Sequence, residues 1–409
     1  MSISFRAYDH VTDFDAAVRL WKEVGWLAKG EEERLRWFVE ESRGIVAEVD
    51  GTVECLTLMS DGRMRYLDDD LSLAACTGVT TGRAARKLGL ARRALARSLA
   101  AEARRGMAVS ALGVFEQGFY DALGYGTGSY AHRARFDPSR LRTTASLRRP
   151  VRLTSDDWRE MHSARLARRH MHGTCDVLSA GVTRMEVADE EKQFGLGYRD
   201  GLDGELTHFV WIHAEEMEQG PYRAELVFQT GEQLHELIAL LKSLGDQVLS
   251  VSMREPPGMM VQDWLDRPFR LMNVTEDGKH EANITASAYW QVRILDLHAC
   301  IAAFRGERPG VRFNLVLHDP VADYAGETGW QGIGGRYVVS LGRKSNCRPG
   351  NDPGLPTMQA SVNAFSRLWL GVCPATGLAI TDDLHAPNEL LECLDVAFRL
   401  PVPQPDWDF

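Results

Sequence analysis

The sequence predicts an α+β protein, with α/β mixed segments, built from more than one domain. Three observations predict it. The chain has 409 residues, too many for one hydrophobic core. Two-residue and 3.6-residue hydrophobic periods alternate along most of its length. A stretch of Pro, Arg, Ser and Thr without periodicity, residues 138–150, interrupts them. The apolar fraction of 44% and charged fraction of 25% are those of globular chains rather than disordered ones.

The elements follow in order. Ile3–Ala7 reads as a strand, Phe14–Gly25 and Glu31–Glu41 as helices. Ile45–Val49 and Thr52–Ser60 read as a hairpin across Asp50-Gly51. Leu71–Val79 is a strand that runs straight into Thr80-Thr81-Gly82-Arg83-Ala84-Ala85-Arg86-Lys87-Leu88-Gly89. Leu90–Arg105 is an amphipathic helix, with Leu95 and Leu99 on one side and paired arginines on the other. Gly106 ends it. Val109–Val114 is a buried strand, Gln117–Leu123 a short helix stopping at Gly124-Tyr125-Gly126, and one more strand reaches about Arg135. In a second segment, Trp158–Arg169 is helical, Leu206–Ala214 and Arg223–Gln229 are strands, Gly231–Leu244 is a helix capped by Thr230, and Val248–Met253 is a strand. A third opens at Ala288, with strands near Val311–Leu317 and Arg336–Leu341, a strand-like Pro356–Ala360 and a helical Ser361–Leu370.

Several function classes recede on composition alone. No early apolar run has signal-peptide length, and none approaches the roughly 20 residues that span a bilayer. A cytoplasmic protein without a membrane partner is expected. The seven cysteines are scattered without a CxxC pair, so no disulfide framework or zinc knuckle is indicated. His170, His172 and Cys175 sit behind Arg165, Arg168 and Arg169, which would repel a cation, so no metal is expected. Residues 1–150 carry 23 Lys and Arg against 20 Asp and Glu, whereas residues 151–285 carry 14 against 24. A mildly basic first part suits an anionic cofactor and acidic later parts a cationic substrate. No basic stripe with interleaved aromatics points to nucleic acid.

The chemistry-bearing features lie near residue 85, near 120 and at the end. A strand running into a basic turn and a helix start can hold pyrophosphate, because first-turn N–H groups and the helix dipole favour an anion. Here the turn carries Gly82, Arg83, Arg86, Lys87 and Gly89. It is not a Rossmann turn, since GxGxxG and its later acidic residue are absent. Tyr120, in the short helix beyond the next strand, is a candidate acid for a departing thiolate or a packing tyrosine. The tail spaces Pro401, Pro403 and Pro405 before Trp407-Asp408-Phe409. Prolines stiffen such a lead-in. A terminal Phe can anchor while its α-carboxylate serves as a general base, or it simply ends an ordered chain.

Taken together these residues resemble the Eis (enhanced intracellular survival) acetyltransferases of the GNAT superfamily. The resemblance is carried by residues 75–91, by Gly118-Phe-Tyr-Asp-Ala-Leu-Gly-Tyr-Gly, by Gly220-Pro-Tyr-Arg-Ala-Glu-Leu, by Trp290-Gln-Val-Arg-Ile-Leu-Asp and by Phe409. It covers essentially the whole chain. It implies an N-terminal GNAT domain (1–145), a degenerate GNAT-like domain (146–285) and a sterol-carrier-protein-like domain (286–409), assembled as a hexamer. It implies transfer of acetyl from acetyl-CoA to an amine of an aminoglycoside, polyamine or lysine. Carried over, Tyr120 is the acid and the Phe409 carboxylate the base. The backbone of Val79, Thr80 and Thr81 aligns the acetyl arm, and Arg86-Lys87-Leu88-Gly89-Leu90-Ala91 with Arg92 holds the diphosphate. Phe115 and Glu116 border the cofactor; Asp406, Asp408 and Trp26 face the acceptor. The chain departs from the family at Arg83, where a proline is usual, and at Phe115, where a serine hydroxyl would be available to the cofactor. A GNAT-fold protein without turnover, and a lipid carrier acting through the last segment, are the alternatives.

Overall fold

The computed structural model describes residues 1–188, 191–306 and 310–407. The chain groups into two compact units that are not contiguous in sequence. One holds residues 1–129, 171–179 and 288–409; the other holds 130–170 and 180–287. Residues 130–145 group with the second unit and residues 171–179 with the first, and the grouping changes again at 287/288.

In the first unit, five strands run β1 (Ile3–Ala7), β2 (Arg43–Val49), β3 (Thr52–Tyr66), β4 (Asp69–Thr81) and β5 (Val109–Gly113), in that order across the sheet. The sheet then continues through Trp290–Ile294 to Gly126–Thr127. Four helices accompany them: α1 (Phe14–Val24), α2 (Glu32–Glu40), α3 (Leu90–Arg104) and α4 (Gln117–Asp121). The β2–β3 turn has Asp50 at φ +48° and Gly51 at φ +82°, the pair of positive angles that a two-residue hairpin matched to strand twist requires. Gly25 (φ +81°) ends α1, and Gly106 (φ +84°) follows α3, the left-handed stop that glycine takes without penalty.

β3 is longer than the stretch Thr52–Ser60 read from sequence. The added Asp61-Gly62-Arg63 stays extended because it is paired. β4 runs along it from Tyr66↔Asp69 to Cys55↔Thr81, and Cys175–Val177 pairs with Arg63 and its two neighbours. The charges are neutralised in place, Asp61 by Arg43 and Arg105, and Arg63 by Asp176. A Cβ on Gly62 would stand 2.4 Å from the Asp176 carbonyl oxygen.

The last third of the chain adds a five-stranded sheet ordered 346–349, 335–341, 311–318, 357–361, 384–385. Its helix Val362–Trp369 is capped by Ser361, whose side chain accepts from Ala364 N. The second unit is a seven-stranded sheet whose end strands are 283–287 and 151–153. Strand Ala131–Phe136 belongs to it, pairing with Val251–Arg254 and Asn283–Ser287. Its helix Gly231–Ser243 starts in a capping box of Thr230 and Gln233. It buries Leu234, Leu237, Ile238 and Leu241 in a cluster with Val210, Ile212, Val251 and Met253. Among the described residues no helix is long and apolar enough to cross a membrane.

Candidate active site

The site begins where two parallel strands part. β4 pairs with β5 only from Leu73↔Val109 to Cys76↔Leu112. The register of β4 on β3 shifts between Cys76 and Gly78, a bulge of the kind that bends a strand. Beyond it β5 is taken up by the other side: Trp290 pairs with Gly113, and Val114 N donates to Tyr289 O at 2.7 Å. β4 runs on to Thr81 against β3 alone. Gly82 N donates to Glu54 O at 2.8 Å, so by strand alternation the amides of Thr80 and Gly78 face β3. Those of Val79 and Thr81 face the gap. Of the three residues expected to align an acetyl arm, the ladder thus offers two; Thr80 is buried and spends its hydroxyl on Leu56 O.

The basic turn follows. Arg83–Ala85 makes a single 3₁₀ turn, Arg86 is extended, Lys87 takes φ +70°, and Gly89 takes φ +72° as the N-cap of α3 without a side-chain cap bond. A left-handed lysine is uncommon. The first-turn N–H groups of α3 have no partner inside the helix. Arg86 and Lys87 are exposed; Leu88, Ala91 and Arg92 are half-buried; Leu90 is buried. Arg83 is used otherwise. Its N–H donates to Glu23 Oε2 at 2.7 Å and its Nε to Glu23 O at 3.0 Å. That backbone bond, first, with Arg19 beside it, holds the Glu23 carboxyl below its usual range. Arg92 stands 5.6 Å from the centre of the Phe119 ring and 5.8 Å from that of Tyr324, linking the start of α3 to the turn that carries Tyr120.

Tyr120 is buried in a cluster with Met59, Cys76, Leu95, Leu112 and Tyr125. Cys76 is the last β4 residue paired with β5, so the phenol stands at the parting of the strands. Its ring meets Phe119 edge-on at 4.9 Å. Burial pushes the phenol well above its ordinary value, and Cys76 and Glu116 add to the rise. Among the described residues its hydroxyl has no hydrogen-bond partner. Glu116 is the exposed N-cap of α4, and Phe115 is 87% exposed. Trp26 is 44% exposed and meets the buried Trp21 edge-on at 5.4 Å.

The tail is held as far as it is described. Cys175 N donates to Pro405 O at 2.8 Å, Gln404 N to His172 O at 3.1 Å, and Ser129 Oγ to Pro403 O. Tyr289 Oη donates to Trp407 O at 2.9 Å, and Trp407 is 1% exposed. Tyr289 is also the residue that receives Val114 at the end of β5, so the tail is fastened beside the parting of β4 and β5. Asp406 precedes Trp407 at φ +49°. Asp408 and Phe409 lie outside the described residues. These anchors were not legible beforehand. The one signal was Gly173, at φ +87°, where a Cβ would sit 2.6 Å from Pro403.

His172 has a different use from metal binding. Its Nδ1 accepts from Leu67 N at 3.1 Å, and its Nε2 donates to Leu370 O at 2.9 Å. Burial lowers its pKa below 6.5. The folded ring therefore resists a proton that the unfolded chain accepts. Stability is whole above about pH 6.5 and falls as pH drops from there toward the lowered value. We expect the urea midpoint to decline between pH 7 and pH 5, and His172→Gln, whose amide can serve both partners, to decline less. Parallel pH profiles for the two proteins would disprove this role. In the second unit, ligand atoms of Asp200, His208 and Glu236 lie within 4.8 Å of one another, but Arg148 bonds both carboxylates.

Comparison with known proteins fits this geometry. Residues 8–128 match the family model described as an acetyltransferase (GNAT) domain. Residues 8–128 thus have the sequence of a GNAT acetyltransferase domain, the kind of domain found in acyltransferases. No curated protein matches by sequence. Among solved structures, the chain is similar to Eis1 from Mycobacterium abscessus at 15% identity, with all of both chains covered and a TM-score of 0.77. It is similar to a GCN5-related N-acetyltransferase from Kribbella flavida at 20% identity, covering 100% of this chain and 99% of that one, with a TM-score of 0.75. A GCN5-related N-acetyltransferase from Anabaena variabilis matches at 15% identity, covering 99% and 100%, with a TM-score of 0.77. The whole chain therefore has an α+β fold shared with Eis1 and these acetyltransferases.

Proposed function

We propose that this protein transfers the acetyl group of acetyl-CoA to an amine, either of an aminoglycoside-like or polyamine small molecule or of a lysine side chain. One observation carries the reading. Where β4 leaves β5, the ladder turns the amides of Val79 and Thr81 away from β3, α3 starts without a side-chain cap bond, and Tyr120 packs in one cluster with Cys76 and Val79. Those are the three groups that a thioester oxygen, a diphosphate and a leaving thiolate require.

In this reading the amine nitrogen attacks the acetyl carbon, the carbon–sulfur bond breaks, and Tyr120 donates to the departing sulfur. The attacking amine is an ammonium near pH 7, with a reference pKa of about 10.4. It gives up its proton to a carboxylate, assigned to the one that ends the sequence at Phe409. Asp406, Asp408 and Trp26 serve the acceptor side, and Phe115 and Glu116 border the cofactor. No metal enters the scheme. We assign the parts as a GNAT domain (1–145), a GNAT-like domain (146–285) and a sterol-carrier-protein-like domain (286–409). A cytoplasmic homohexamer is proposed on the same resemblance.

Thiol release from acetyl-CoA tests it, with aminoglycosides, polyamines and lysine peptides as acceptors. Cys393 is exposed, so its reaction with the dye is read first as a burst. We expect amine-dependent release that falls about 10²-fold when Phe409 is deleted, the lower range for a lost acid–base group. Equal rates with and without Phe409 would remove the terminal base. An inability to bind CoA would overturn the activity itself.

A further inference from the structure

The turn that carries Tyr120 is too short to hold itself. α4 has five residues, and its N-cap Glu116 makes no side-chain cap bond; an isolated helix needs roughly 12 or more. Its geometry is set from outside, largely by the last third of the chain. Asn363 Nδ2 donates to Asp121 O and to Tyr125 O, each at 2.8 Å. Gln291 Nε2 donates to Asp121 Oδ1 at 2.7 Å and to Thr127 Oγ1 at 3.3 Å. Arg293 Nη1 donates to Leu123 O. From the sheet itself comes one further anchor, Ser110 Oγ on the Tyr125 hydroxyl at 2.7 Å.

Three alternate glycines let the backbone lie flush against these residues. A Cβ on Gly124 would stand 2.9 Å from Arg293 Nη1, one on Gly126 2.4 Å from Asn363 O, and one on Gly128 2.2 Å from Trp290. The strand Trp290–Ile294 is buried throughout and lies between β5 and Gly126–Thr127. The Tyr120 hydroxyl has no partner of its own among the described residues, so its aim is inherited from the turn.

We infer that Asn363 and Gln291 are positioning residues for the Tyr120 hydroxyl. The last third of the chain sets where the phenol points into the acyl-CoA cleft, and so acts on the chemical step. This inference rests on Tyr120 being the acid.

A double-mutant cycle tests it: Asn363→Ala, Tyr120→Phe and the two combined, assayed with acetyl-CoA and whichever panel amine is turned over fastest. We expect Asn363→Ala to lower kcat roughly 10-fold, within the up to about 10²-fold that misplacing a reacting group by about 1 Å can cost, while CoA titration is unchanged. In the Tyr120→Phe background the same substitution has no further effect. Equal losses in both backgrounds would overturn the inference and leave Tyr120 standing as the acid. Full activity of Tyr120→Phe alone would remove the acid and this inference with it. If Asn363→Ala loses its melting transition, Gln291→Met carries the same cycle with the same expectation. Unchanged kcat in whichever variant folds would overturn the inference.

Discussion

Tyr120→Phe is expected to lower kcat about 10²-fold with acetyl-CoA binding and stability unchanged. The substitution removes one oxygen and little else. The ring keeps its edge-on contact with Phe119 and its place near Tyr125, 6.1 Å away. No buried partner is orphaned, because the hydroxyl bonds to none among the described residues. In the proposed reaction, what is lost is the donor to the departing sulfur. A thiol has a reference pKa of about 8.5 and a phenol about 10, and burial carries Tyr120 higher still. The phenol is therefore protonated wherever the enzyme operates, and its first service to the thiolate is a hydrogen bond. Two results follow: a 10²-fold fall in kcat for the variant, and in the wild type no alkaline loss of kcat traceable to Tyr120 below about pH 10. Wild-type kcat in Tyr120→Phe would strip the residue of its role.

The features read from sequence and those read only from structure divide by how local they are. The β2–β3 hairpin, α1, α3 and the turn around Gly89 were legible because each is dictated within about ten residues, by periodicity, Asp50-Gly51 and left-handed glycines. The order strand, basic turn, helix, strand, short helix placed Arg86 to Arg92 and Tyr120 on neighbouring elements. Pairings across hundreds of residues were not legible. Nothing local says that Trp290–Ile294 enters the first sheet beside β5, or that residues 171–179 leave their surroundings to pair with β3 and hold the tail. The extension of β3 through Asp61-Gly62-Arg63 depends on partners on both edges, which lie far away or in another segment. Glu23 likewise engages Arg83 of the basic turn through a contact 60 residues away in the chain. The glycines at 124, 126 and 128 were visible, but their alternation gains meaning only with the side chains behind them.

Arg293→Met is expected to cost about 3–5 kcal/mol, the usual penalty when one partner of a buried pair is removed. Arg293 is 0% exposed. Its Nη2 donates to Asp319 Oδ2 at 2.8 Å, its Nη1 to Leu123 O, and its guanidinium lies 5.3 Å from the Trp330 ring. Asp319 accepts the N–H groups of Val321 and Ile333 as well, so it is fixed in place and cannot turn toward water when the arginine goes. A Cβ on Gly332 would stand 2.2 Å from its Oδ2, which shows how closely the carboxylate is enclosed. Domains are typically stable by about 5–15 kcal/mol, so the variant should unfold at a much lower urea concentration. Arg293→Met with Asp319→Leu, which removes both charges, should recover much of the loss. A midpoint for Arg293→Met equal to wild type would mean that the pair contributes nothing and that packing alone holds the strand. A double variant no better than the single would mean that Asp319 matters for its two amide bonds and not for its charge.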